Sequence, residues 1–216
     1  MSYSNGQIII LLAIVPTIIA ALIAALKWRA LPAGLRPLAM LVFFALFTEA
    51  FSRVLWVFKL SNLFMWPVYI GVEFGLLVWM YSRVIDSHWL RRSRWVLTVA
   101  MAGLAVAEGV LRASQTFRVD NAVRLLESLS VILLVLAYYH VSLRRPSTAY
   151  IWQEPLFWVS TGLLFYFAGN FLIYTFVNFA YFYHRHLTIQ LWVVHAALNS
   201  LLYCTYAYAL WISPKS

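Results

Sequence analysis

The chain predicts an all-α integral membrane protein: one bundle of seven transmembrane helices, with the N-terminus outside and the C-terminus cytoplasmic. Three observations lead there. Hydrophobic residues fill 64% of the 216 positions and charged residues only 11%, with a mean hydropathy of +0.82, values at which a water-soluble domain could not cover its surface with polar groups. The apolar residues fall in long continuous runs rather than in alternating ten-residue units, which favours spanning helices over a barrel. Lys and Arg lie mostly in the short segments between the runs, so the net charge of +9 serves orientation in a membrane and implies no nucleic-acid partner.

Each run is close to the roughly 20 residues that a bilayer core demands of a helix. The runs cover residues 8–26, 38–58, 64–83, 95–113, 121–143, 156–179 and 189–211. The first follows MSYSNGQ, which carries no Lys or Arg, and it is too long for the core of a cleavable signal, so it is expected to remain as the first helix. Pro16 lies inside that run and should kink it. Pro37, Pro67 and Pro155 lie near helix starts, where a missing N–H costs little. Trp28, Trp89, Trp95, Trp152, Trp158 and Trp211 mark one boundary of the bilayer, and Trp56, Trp66 and Trp192 mark the other.

With the N-terminus outside, ten of the sixteen Lys and Arg residues fall on the cytoplasmic side, the orientation expected of a bacterial inner (plasma) membrane protein. The single cysteine, Cys204, excludes an intramolecular disulfide. Short loops and the lack of a Pro/Ser-rich linker predict one domain over residues 1–216. Five residues follow Trp211, so no output domain is expected within the chain, and a signalling role would need a separate partner. The first three and last three runs share no motif pattern, which disfavours the internal repeat of a carrier.

Charged side chains near the middle of a bilayer cost about 2.5–3.5 kcal/mol each on insertion scales, so those that persist are paired or used. Glu49 and Arg53 stand i,i+4 in the second run, Glu73 stands in the third, and Glu108 and Arg112 stand i,i+4 in the fourth. Arg124 and Glu127, i,i+3, open the fifth. The sixth adds Asn170, Tyr174 and Asn178, and the seventh adds His195 and Asn199, again at helical spacing. Apart from Glu49, near mid-depth, the charged members fall in the outer half, and the Asn, Tyr and His residues lie at similar depth. The set predicts an outward-facing polar pocket for a small molecule, centred on Glu49, Arg53, Glu73, His195 and Asn199. Mixed signs suit a zwitterionic or hydrogen-bonding ligand better than a simple anion. Helix stapling by Glu–Arg pairs and interhelical hydrogen bonds is the alternative use of the same residues.

Other chemistries fit less well. Retinal would need a lysine within the bundle, and Lys27, Lys59 and Lys215 all lie at or beyond run ends. A metal would draw on His184, His186 and His195. The seven-helix zinc hydrolases of the ceramidase and adiponectin-receptor kind carry a late HxxxH, where this chain has His195 and Asn199. No cofactor is expected.

Two resemblances bear on function. Glu49-Ala-Phe-Ser-Arg53, Phe182-Tyr-His-Arg-His186 and His195-Ala-Ala-Leu-Asn199 resemble the EExxxR, FxxxH and HxxxN motifs of the CAAX-protease and bacteriocin-processing family, with Thr48 in place of the first glutamate. That resemblance implies an intramembrane hydrolase in which Glu49 activates water while His195 and Asn199 stabilise the oxyanion. Over the last third, FWVSTGLLFYFAGNF (Phe157 to Phe171) and QLWVVHAALN (Gln190 to Asn199) resemble an uncharacterised family of bacterial seven-helix proteins often encoded near sensor histidine kinases. It implies a sensory or accessory role rather than a reaction, with such a kinase as the separate partner; membrane lipid and a small-molecule ligand are the partners expected from the apolar runs and the polar pocket.

Overall fold

A computed structural model describes residues 12–62, 64–85, 87–114, 121–144, 151–183 and 185–214, and at 112–114, 178, 181–183, 185 and 186 the backbone alone. The described residues form seven α-helices and no strand. The helices are α1 (Ile14–Lys27), α2 (Arg36–Val57), α3 (Met65–Val84), α4 (His88–Ser114), α5 (Ala122–Arg144), α6 (Pro155–Tyr183) and α7 (Arg185–Ile212). Single 3-10 turns, Trp28–Ala30 and Ile151–Gln153, precede α2 and α6. Five helices are long and apolar enough to cross a membrane: α2, α4 as far as Leu111, α5, α6 as far as Val177, and α7 from Leu187. The 14 described residues of α1 and the 20 of α3, which carries Glu73, are not among them.

Every expected run meets a helix, but several ends move. α4 starts at His88, seven residues before the apolar run, because Ser87 accepts the Leu90 N–H at 3.3 Å and caps a polar extension bearing Arg91, Arg92 and Arg94. α6 and α7 run to Tyr183 and from Arg185, since no Pro or Gly interrupts residues 180–189. Pro16 stands in the first described turn of α1, and without an N–H it cannot close a bond to the Leu12 carbonyl. The start of the first expected run lies outside the described residues.

The end of α2 is a Schellman turn. Leu60 N–H donates to Leu55 O at 2.9 Å and Lys59 N–H to Trp56 O at 3.0 Å, which forces Lys59 to a φ of 57°. Glycine usually occupies that left-handed position because a Cβ is strained there.

Helices adjacent in the chain pack against one another, α1 closes the ring on α7, and α3 also touches α5. α3 is therefore the interior helix, burying Ile70, Phe74, Leu77, Val78, Met80 and Tyr81. Small residues allow the closest approaches. A Cβ on Gly75 would stand 2.7 Å from Thr98 Cγ2 of α4, and one on Gly162 of α6 would collide with Thr205 of α7. The outward faces are apolar: Trp95, Val96, Val99, Val106 and Val110 form an exposed row along α4. A surface of that kind matches lipid rather than water.

Candidate functional site

At the end of the bundle where α2, α4 and α6 finish and the other helices begin, a cavity of about 1020 Å³ opens. All seven helices line it, through Thr17, Glu49, Tyr69, Gly109, Arg124, Tyr166 and His195 among others. This is the end on which the sequence places its polar residues.

Arg124 is the cavity's most constrained charge. It stands in the first turn of α5, and its Nη1 meets Glu127 Oε2 at 2.8 Å and Glu73 Oε2, from α3, at 3.3 Å. Tyr69, one turn before Glu73, donates its hydroxyl to Glu73 Oε1 at 3.4 Å. The guanidinium also lies 5.7 Å from the Trp66 ring centroid and 5.6 Å from that of Tyr69. Glu73 and Glu127 are fully buried, and the Arg124 side chain is 11% exposed. Arg124 Nε and Glu127 Oε1 are buried without a hydrogen-bond partner. Two carboxylates thus face one guanidinium with hydrogen-bonding capacity left over.

On the opposite wall, His195 of α7 contacts Asn170 Oδ1 of α6 at 2.8 Å through Nδ1. An amide oxygen only accepts, so Nδ1 is the donor in this contact. The imidazole is enclosed by Tyr166, Tyr174 and Trp192, with ring centroids 5.9, 6.4 and 5.6 Å away. Asn199, one turn further on, also lines the cavity. Glu49 reaches it from α2, although its Oε1 accepts Arg53 Nε at 3.1 Å and Nη2 at 2.9 Å in a pair that is nearly half exposed.

The structure therefore brings Glu49, Arg124, His195 and Asn199 to one cavity, with Glu73, Glu127 and Asn170 directly behind it. Arg53 stands outside the wall and reaches the site only through Glu49. Glu108 is engaged elsewhere, since its Oε2 accepts the Val123 N–H at 2.8 Å and so caps the N-terminus of α5 from α4. The side chains of Arg112, Asn178, His184 and His186 lie outside the described residues. Among the described residues, no three His, Cys, Asp or Glu side chains are placed to hold a metal.

Sequence reasoning misses Trp66, Tyr69, Tyr166 and Tyr203 as wall residues. Extending the helical rows finds three of them: Tyr69 precedes Glu73 by four, Tyr166 precedes Asn170 by four, and Tyr203 follows Asn199 by four. No protein-family model, curated protein or solved structure matches the chain.

Proposed function

We propose that this chain is a seven-span inner-membrane module that binds a small zwitterionic or hydrogen-bonding molecule in its cavity and passes occupancy to a separate partner through helix movement. The observation that carries the proposal is the convergence of all seven helices on one 1020 Å³ cavity holding a buried Arg124 between two glutamates. A site composed from every helix couples its occupant to the packing of the whole ring, as a receptor requires. The excess of Lys and Arg on one side supports an outward-facing mouth, and the resemblance to seven-helix proteins encoded near sensor kinases supports a kinase as the partner.

Native mass spectrometry of the detergent-purified chain tests the binding. An organic mass is expected on the wild type and absent from the Glu49→Gln, His195→Ala double variant. Bare wild-type protein, together with no thermal shift from any zwitterion in a metabolite panel, would refute it. A fluorescent protein fused after Ser216 should fold and emit only if that end is cytoplasmic.

A second reading has one observation in its favour: Glu49, His195 and Asn199, the residues of the hydrolase resemblance, line the same cavity. It predicts lipid or peptide hydrolysis that Glu49→Gln abolishes while the fold persists. A carrier would differ from both by moving solute across liposomes.

A further inference from the structure

The cavity has two kinds of wall. α5, α6 and α7, successive neighbours in the ring, supply Arg124, Tyr166, Tyr174, His195 and Asn199. α4 supplies only Val106, Gly109 and Val110, and the first turn of α3 adds Met65, Pro67 and Val68. The apolar wall does not end inside the bundle. Val68, Val106 and Val110 are 54%, 53% and 66% exposed, and the last two belong to the lipid-facing row of α4. Among the described residues α2 and α4 both pack on α3 with little contact between themselves, so Val68 lies open between them. The polar wall therefore stands within the bundle while the apolar wall runs out onto the surface that meets lipid.

Size and charge narrow what such a space takes. Pockets for drug-sized ligands run to about 1,000 Å³, and this one holds about 1020 Å³. A small polar molecule alone would occupy the polar wall and leave the rest to water, which apolar walls hold poorly. On the polar side both ion pairs of Arg124 run through Nη1, and Nη2 has no hydrogen-bond partner among the described residues. A phosphate oxygen is the acceptor a free guanidinium N–H suits best. Glu73 and Glu127 together outnumber Arg124 by one charge, and that excess favours an ammonium on the same head.

We propose that the occupant is a zwitterionic amphiphile taken up from the bilayer, with an ammonium-and-phosphate head at Arg124, His195 and Asn199 and a hydrocarbon tail leaving over Val68, Val106 and Val110. It rests on the reading that this cavity binds a zwitterionic or hydrogen-bonding molecule, and adds that the molecule carries a chain and enters sideways from lipid.

The test uses the full chain in nanodiscs of phosphatidylglycerol, with a lysophosphatidylethanolamine that carries a diazirine in its chain as the probe. Illumination should label α3 and α4 around Val68, Val106 and Val110. Unlabelled lysophosphatidylethanolamine should suppress that label at a concentration roughly 100-fold below that of phosphoethanolamine, the free head, since a few buried methylenes are worth that factor. Asn199→Ala should weaken suppression by both compounds. Val106→Trp, on the outward side of α4, should remove most of the suppressible label with the melting temperature unchanged. Phosphoethanolamine that suppresses as well as the lysolipid, or that raises the melting temperature where the lysolipid leaves no suppressible label, overturns the amphiphile and leaves the small-molecule reading standing. No suppressible label and no thermal shift from either compound overturns both. Lysophosphatidylglycerol suppressing as strongly as lysophosphatidylethanolamine overturns the zwitterionic head. If Val106→Trp does not fold, Val68→Trp takes its place, and a folded variant that labels like the wild type overturns the path of the tail.

Discussion

Arg124 holds two carboxylates from two helices, and its loss would leave both buried without a counter-charge. Breaking one side of a buried pair costs about 3–5 kcal/mol, so Arg124→Gln should lower the thermal midpoint in detergent far more than Arg53→Gln, whose half-exposed pair is worth about 1 kcal/mol or less. Adding Glu73→Gln and Glu127→Gln to Arg124→Gln should restore much of the loss, because the orphaned charges are then gone. Lys59 offers the opposite sign. Its φ of 57° strains a side-chain-bearing residue, and Lys59→Gly should raise stability by about 1 kcal/mol in the same measurement. The pairs that sequence spacing exposes are those within one helix, such as Glu49 with Arg53. The tie from Glu73 to Arg124 spans 51 residues and depends on how α3 and α5 are rotated, which no local pattern encodes. Glu108 shows the reverse: the carboxylate is plain in the sequence, yet its partner is a backbone N–H that no side-chain motif announces.

At the scale of helices, hydropathy located all seven elements but misplaced their ends, because it reports where a chain meets lipid and not where hydrogen bonding stops. α4 continues past its apolar run to a serine cap, and α6 and α7 run beyond theirs because no Pro or Gly stands in residues 180–189 to stop either one early. Orientation and neighbours are set by small residues that permit contact. Gly162 marks such a point, where α6 meets Thr205 of α7. Gly162→Val should force the pair apart and cost about 1–3 kcal/mol, seen as a lower melting temperature. Gly34, with open space around it, should accept alanine with no comparable loss.

At the scale of the molecule, the seven helices of the described residues form a ring with an odd number of members. Neighbours that alternate in direction cannot close such a ring without a parallel seam between its first and last members, and that seam is α1 against α7; α3 against α5, tucked inside, is parallel as well. Lys27, at the C-terminus of α1, donates to Trp211 O and, at 3.3 Å, to Ser213 O, and its ammonium lies 5.6 Å from the Trp211 ring. Lys27→Ala should lower stability by about 1 kcal/mol, and Lys27→Arg should retain part of it. Parallel helices place two partial negative ends side by side, a repulsion that antiparallel pairs avoid, and one ammonium positioned between those ends answers both. No loop links α1 to α7, so this joint is closed by non-covalent forces, with a single positive charge serving as its latch.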